Sequence, residues 1–119
     1  MKRTILVVDD DVDLRDTVCT ALADEGYDTE AASNGADALD SLRAGAPPDL
    51  IILDLMMPGM DGWAFREAQK RDPRLAPIPV LVISASRRLD EPALDARYIR
   101  EPMDLDVLLA TITEMIGPP

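Results

Sequence analysis

Histidine is absent from this 119-residue sequence, and cysteine, tryptophan and phenylalanine each occur once. The single cysteine, Cys19, rules out a disulfide within the chain and a zinc site built from cysteines, and it fits a reducing compartment. No apolar run approaches the roughly 20 residues that span a bilayer, and the residues after Met1 lack the pattern of a signal peptide. These absences predict a cytoplasmic protein that does not enter a membrane.

Positive charge is also scarce, because 12 lysines and arginines are outnumbered by 23 aspartates and glutamates, for a formal net charge of -11. Such a surface repels phosphate backbones and anionic lipids, so we expect no binding of nucleic acid or membrane through this segment. The length and the hydrophobic fraction of 47% suit a single domain with one core. We expect this domain at residues 1–117, with 118–119 as a tail or the start of a linker.

Predicted strands and helices alternate along the chain. Apolar or β-branched runs predict strands, of which the last is weak, at 4–8, 27–32, 50–53, 80–83 and 97–100. Helical periodicity predicts helices at about 12–25, after the Asn34-Gly35 turn, at 63–71 and at 105–116. Strands that alternate with helices form right-handed crossovers and a parallel sheet covered on both faces. The predicted fold class is therefore α/β, with a doubly wound sheet.

Carboxylates and a hydroxyl stand where the predicted strands end. Asp9 and Asp10 close the first strand, Asp54 the third and Ser84 the fourth, and Glu101 follows the fifth. In open α/β sheets the ligand site lies beyond the carboxyl ends of the strands, so these side chains should converge on one edge. Grouped carboxylates repel one another unless a divalent cation neutralises them, and oxygen ligands favour Mg²⁺. The pattern predicts a magnesium site at which the Asp54 carboxylate attacks a phosphoryl group.

Local structure offers simpler explanations for some of these residues. Aspartate is favoured at helix N-caps, so Asp9 and Asp10 could serve only the following helix, although Asp11 or Asp13 suffices for that purpose. Asp54 could merely initiate the turn that follows it. Both explanations stay open on the sequence alone.

Three separated motifs carry a resemblance to one known family: Val7-Val8-Asp9-Asp10-Asp11, Asp54-Leu55-Met56-Met57-Pro58-Gly59-Met60-Asp61-Gly62 and Val82-Ile83-Ser84-Ala85. In this order they resemble the receiver domains of two-component response regulators in bacterial signalling, and the resemblance covers nearly the whole chain. It implies a flavodoxin-like, five-stranded parallel sheet of order 2-1-3-4-5. It also implies a signalling phosphoacceptor rather than an enzyme that turns over a separate substrate.

The resemblance assigns roles to the residues of the acidic site. Asp54 matches the phosphoacceptor, and Asp9 and Asp10 match the acidic pair that organises Mg²⁺. The backbone carbonyl of Met56 matches the remaining protein ligand to the metal. The implied phosphoryl donor is a phosphohistidine on a sensor histidine kinase or phosphotransfer protein, which would dock on the first helix.

Two further residues match the parts of the family that convert phosphorylation into a change of shape. Ser84 matches the hydroxyl that hydrogen-bonds the phosphoryl group, and Tyr98 matches the switch aromatic that turns inward on the fifth strand. A half-buried core tyrosine is the alternative for Tyr98. The implied reader of the switch is a downstream protein target. A weak homodimer is a further expectation for the chain.

The chain departs from the family pattern in two places. Receivers usually carry Lys-Pro after the fifth strand, where this chain has Glu101-Pro102, and the resemblance implies a cis peptide bond there. Because an anion replaces a cation, we expect Glu101 either to tighten the cation site or to make the domain a poor phosphoacceptor. Segment 85–96 is several residues shorter than usual, so the helix before the fifth strand should be short or missing.

Two alternative functions remain. A pseudo-receiver would keep the fold and bind partners without phosphorylation, which Glu101 and the shortened segment favour. A small phosphohydrolase of the haloacid-dehalogenase type would use Asp9 of the Asp9-x-Asp11 pattern as its nucleophile. This length leaves no room for a substrate-covering cap, however, and such an enzyme would not explain the loop after Asp54.

Overall fold

The computed structural model describes residues 2–85 and 95–119. Its elements in chain order are β1 Thr4–Val8, α1 Val12–Glu25, β2 Asp28–Ala32, α2 Gly35–Ala44, β3 Leu50–Leu53, α3 Gly62–Arg71, β4 Val80–Ser84, β5 Arg97–Arg100 and α4 Leu105–Ile116. All five strands pair in parallel in one sheet of order β2-β1-β3-β4-β5, which confirms the predicted fold class and strand order. The helix expected to be short or missing between β4 and β5 falls on residues 86–94, outside the described ranges.

Successive side chains of each strand point to opposite faces of the sheet, and both faces are apolar. In β1, Leu6 and Val8 share a core cluster with residues of α2 and α3, while Ile5 and Val7 share one with residues of α1 and α4. Every residue of β3 and β4 is buried. A parallel strand that helices cover on both sides must be apolar throughout, which explains why these strands appear in the sequence as unbroken apolar runs.

Polar side chains start the helices, and they do so close to the ends of the preceding strands. The side chain of Asp11 accepts a hydrogen bond from the Leu14 N–H at 3.1 Å and so caps α1. Capping of α1 therefore belongs to Asp11 and does not account for Asp9 and Asp10.

None of the helices within the described ranges is both long and apolar enough to cross a membrane.

A buried polar network ties α3 to the chain on either side of it. The Gln69 amide nitrogen donates to the carbonyl oxygens of Leu75 and Ile78, each at 3.0 Å. The Arg66 guanidinium donates to the Gln69 amide oxygen at 2.9 Å and to the Asp95 carbonyl oxygen at 2.8 Å. Burial lowers the pKa of Arg66. The network satisfies buried backbone carbonyls and fixes the chain just before β4 and just before β5.

Candidate functional site

Three carboxylates meet at the carboxyl edge of the sheet. Asp9 and Asp10 directly follow β1, and Asp54 directly follows β3, the strand beside β1. One carboxylate oxygen of each residue lies within 4.8 Å of the others. Asp9 is buried, Asp54 is half-buried and Asp10 is exposed, so the cluster is open to solvent on one side. The structure thus brings together the three acidic residues that the sequence places at strand ends.

Hydrogen bonds fix both the backbone and the side chains of the two inner aspartates. The Asp54 N–H donates to the carbonyl oxygen of the last residue of β1 at 3.0 Å. The Asp54 carboxylate accepts from the Met56 N–H at 3.2 Å, and the Asp9 carboxylate accepts from the Asp11 N–H at 2.9 Å. These contacts hold the carboxylates in place through neutral backbone donors, which do not cancel the negative charge of the carboxylates.

The environment makes these carboxyl groups hard to ionise. Burial, followed by the negative charges of Asp9, Glu101 and Asp10, raises the pKa of Asp54 from 3.8 to about 7, against the opposing hydrogen bond from Met56. Burial also raises the pKa of Asp9, with its acidic neighbours adding to the effect. Carboxyl groups perturbed by burial and like charges at one open edge are typical of functional sites.

The loop after Asp54 packs tightly against the start of α3. The Gly62 N–H donates to the Leu55 carbonyl oxygen at 2.9 Å, and a Cβ atom on Gly62 would lie 2.6 Å from the Asp54 carbonyl oxygen. Gly59, in the same loop, has a φ of 73°, the left-handed conformation that favours glycine. Met56 lies in this loop with an exposed side chain, and the role of its carbonyl as a metal ligand stays a prediction. The two glycines explain part of the motif that follows Asp54.

Ser84 and Tyr98 occupy the end of β4 and the middle of β5. Ser84 is fully buried, and Tyr98 is 42% exposed. The Arg100 guanidinium carbon lies 5.9 Å from the centre of the Tyr98 ring, a distance typical of a cation–π contact. Tyr98 in this conformation is thus more exposed than the core tyrosine considered above. The roles of Ser84 and Tyr98 in a switch remain predictions.

Glu101 stands immediately beyond β5 and is half-buried. Its peptide bond to Pro102 is cis, as predicted. Burial, followed by the charges of Asp9 and Asp11, raises the pKa of Glu101. Among the described residues, the carboxylates close enough to share one metal ion do not include Glu101. Glu101 is therefore a charged neighbour of the acidic cluster rather than one of its three members.

Sequence reasoning missed one contact of the site, made by Arg15. Its guanidinium donates to the backbone carbonyl oxygen of Asp9 at 2.9 Å, and its charge partly opposes the rise in the Asp9 pKa. Arg15 lies one helical turn beyond the N-cap residue Asp11, which places it over the rim where β1 ends. The spacing from the cap to a basic residue is the signal that could have revealed it.

The chain matches the family model of the response regulator receiver domain over residues 5–113. It is 35% identical to the DNA-binding dual master transcriptional regulator RpaA of Synechocystis sp., over 94% of this chain and 48% of that protein. It is 36% identical to the DNA-binding transcriptional regulator NtrC of Escherichia coli K12, over 98% of this chain and 26% of that protein. The chain thus spans about half or less of the length of these curated relatives.

Two solved structures that resemble this chain are also response regulators. The chemotaxis response regulator CheY4 of Vibrio cholerae superposes with a TM-score of 0.88 at 27% identity, covering 97% of this chain and 99% of that one. The response regulator TrrA of Thermotoga maritima was solved in complex with Mg²⁺-BeF. It superposes with a TM-score of 0.84 at 27% identity, covering 95% of this chain and 98% of that one. The fold, the ordered motifs and the family match agree: this chain belongs to the response regulator receiver domain family.

Proposed function

We propose that this receiver domain accepts a phosphoryl group on Asp54 and passes the signal to a protein target in the cytoplasm. The observation that carries the proposal is the meeting of the Asp9, Asp10 and Asp54 carboxylates at the open edge of the sheet. Family membership supports it, because receiver domains of response regulators are signalling modules. In this proposal the domain carries out no turnover beyond its own phosphorylation and dephosphorylation.

Asp54 is the proposed nucleophile. A carboxylate oxygen would attack the phosphorus of a phosphohistidine on a sensor kinase or phosphotransfer protein. The phosphorus–nitrogen bond would break, and the departing imidazole would take up a proton from solvent. Because only the ionised carboxylate attacks, a pKa of about 7 means that the site needs nearby positive charge for full reactivity at neutral pH.

The residues present fit Mg²⁺. This ion prefers oxygen ligands and keeps several of its water molecules, and the three carboxylates supply the oxygens while the exposed side of the cluster leaves space for water. The proposed holders are Asp9, Asp10 and Asp54 together with the Met56 carbonyl. A bound Mg²⁺ would supply positive charge for the phosphoryl transfer. The Mg²⁺-BeF in the structure of TrrA supports the same cofactor here.

The proposed response to phosphorylation runs through Ser84 and Tyr98. The Ser84 hydroxyl would donate a hydrogen bond to the phosphoryl group, and the exposed Tyr98 ring would then turn inward, which changes the surface around β5. This is a shift between two conformations that the phosphoryl group favours unequally. A downstream protein would bind the changed surface, and the phosphoryl donor would dock over α1.

The segment itself is proposed to contact proteins rather than nucleic acid. RpaA and NtrC are described as DNA-binding regulators, and this chain covers only part of each. Its own net charge of -11 opposes binding to a phosphate backbone. A weak homodimer is compatible with this arrangement and is part of the proposal.

Intact mass spectrometry after incubation with Mg²⁺ and a small acyl-phosphate donor tests the proposal. We expect the wild type to gain one phosphoryl group and Asp54→Asn to gain none. Asp40→Asn makes the same chemical change at an exposed position on α2 and should be phosphorylated like the wild type. A wild type that gains no mass would favour the pseudo-receiver, and donor hydrolysis that depends on Asp9 but not on Asp54 would favour the phosphohydrolase.

A further inference from the structure

We propose that Glu101 sets the charge preference of the Asp54 site, so that the site binds divalent cations more tightly and accepts phosphoryl groups less readily than it would with a neutral or basic residue there. The inference rests on the proposed function, because it assigns a further residue to the same cation and phosphoryl site. Glu101 is a specificity-determining residue in this view. It acts through its charge rather than as a metal ligand.

The sheet itself brings Glu101 to this edge. β5 pairs in parallel with β4, and the Glu101 N–H donates to the Ser84 carbonyl oxygen at 2.9 Å, which holds Glu101 level with the end of β4. β4 lies beside β3, and β3 ends just before Asp54. Glu101 is thus fixed by backbone contacts at the same rim as the acidic cluster, and it is half-buried there.

The charges of these groups influence one another in both directions. Glu101 is among the groups that raise the pKa of Asp54, and Asp9 and Asp11 are among those that raise the pKa of Glu101. Within residues 2–85 and 95–119, the charged side chains that act on Asp54 are those of Asp9, Glu101 and Asp10, which are acidic. The nearby Arg15 donates to the backbone carbonyl of Asp9 and partly offsets the charge of that residue. Glu101 therefore adds a negative charge to a site that is already strongly negative.

The geometry separates a through-space effect from direct coordination. The carboxylate oxygens of Asp9, Asp10 and Asp54 lie within 4.8 Å of one another, and within the described part of the chain Glu101 does not complete such a group. A charge outside the ligand set still attracts a cation and repels a phosphoryl dianion, because Coulomb interactions extend beyond contact distance in a half-buried site. The negative charge of Glu101 must therefore favour the binding of Mg²⁺ and oppose the approach of the phosphoryl group.

Because the charge affects Mg²⁺ binding and phosphorylation in opposite directions, its loss can be distinguished from a structural defect. A substitution that merely distorts the rim lowers both the affinity for Mg²⁺ and the yield of phosphorylated protein. Removing the charge of Glu101 should lower the affinity for Mg²⁺ and raise the yield. Glu101→Gln removes the charge with little change of shape, and Glu101→Lys reverses it.

The experiment measures Mg²⁺ binding by isothermal titration calorimetry without phosphodonor, and phosphoryl yield by intact mass at saturating Mg²⁺. We expect Glu101→Gln to weaken Mg²⁺ binding by about tenfold and Glu101→Lys to weaken it further. The phosphoryl yield should rise from wild type to Glu101→Gln to Glu101→Lys. Glu25→Lys changes the net charge by the same amount as Glu101→Lys, but at the far end of α1, about 20 Å along the helix axis from the rim. This control should change neither quantity.

The outcomes distinguish the inference from the proposed function. Wild-type Mg²⁺ binding that does not respond to either Glu101 substitution overturns the inference alone, as does a joint fall in affinity and yield in Glu101→Gln. A wild type that binds no Mg²⁺ overturns the proposed function together with the inference. Circular dichroism of each variant checks the fold, and the isosteric Glu101→Gln carries the test if Glu101→Lys fails to fold.

Discussion

Removing the charge of Asp54 should stabilise the folded domain when divalent cations are absent. The pKa of Asp54 rises from 3.8 to about 7 on folding, chiefly because of burial. Between these two pH values the folded chain binds more protons than the unfolded chain, so the free energy of unfolding falls as the pH rises through this window. The cost is absent below a pH of about 4 and fully present above about 7. Asp54→Asn cannot ionise and should escape it.

The size of the effect follows from the shift. The change from 3.8 to about 7 corresponds to about 4 kcal/mol if the whole shift counts towards stability. Because Asp54 is only half-buried, contact with water reduces the cost of ionising its carboxyl group, and we expect a gain of about 1–2 kcal/mol for Asp54→Asn above neutral pH. The asparagine side-chain oxygen can still accept the hydrogen bond from the Met56 N–H, so the substitution keeps the contact that orients the side chain.

Urea unfolding followed by circular dichroism measures this gain. The wild type, Asp54→Asn and the control Asp40→Asn are compared with chelator present, at about pH 4 and at about pH 8. Asp54→Asn should match the wild type at the lower pH and exceed it at the higher one, and excess Mg²⁺ should shrink or reverse the gain by stabilising the wild type. An Asp54→Asn variant that is less stable than the wild type at both pH values would refute the reasoning.

Three further substitutions test the packing at Gly62, the buried hydrogen bonds of Gln69 and a surface ion pair of α3. Gly62→Ala should cost about 1–3 kcal/mol in thermal unfolding, because its Cβ would lie 2.6 Å from a backbone oxygen, whereas Gly45→Ala, with its nearest contact at 3.7 Å, should cost far less. Equal costs would contradict this. Gln69→Ala should cost about 1–3 kcal/mol by removing the donor to the buried Ile78 carbonyl oxygen, whereas the Leu75 carbonyl oxygen keeps its bond from the Ile78 N–H, and unchanged stability would show that the Ile78 carbonyl needs no such donor. Arg71→Ala breaks an exposed pair with Glu67 and should cost less than about 0.5 kcal/mol; a larger loss would contradict the view that this pair contributes little.

The sequence predicted most of the fold because nearly every element has a local signature. β3 and β4 lie between two helical layers, so they had to be apolar at almost every position, and an unbroken apolar run is easily recognised. Where bounds were predicted, they differ from those of the structure by no more than one residue at either end. The meeting of Asp9 and Asp54 was also predictable, because parallel strands end at the same edge of a sheet.

Contacts between distant segments were not predictable, because no local pattern encodes them. The buried bonds from Arg66 and Gln69 depend on where the loops before β4 and β5 come to rest. The stacking of Arg100 on Tyr98 depends on side-chain conformation, and strand alternation indicates only that the two residues share a face. The rise in the pKa of Asp54 likewise required knowledge of burial and of the charges around it.

In the proposed function, three carboxylates from separate parts of the chain hold one divalent cation at the rim of the sheet. Anomalous diffraction from a crystal of the wild-type chain grown with Mn²⁺, an oxygen-preferring ion that reports on Mg²⁺ sites, tests it most directly. We predict one strong anomalous peak among the carboxylate oxygens of Asp9, Asp10 and Asp54, and its loss in Asp54→Asn. A peak elsewhere, or no peak in a well-ordered crystal whose Asp54 side chain points away from Asp9, would contradict the account.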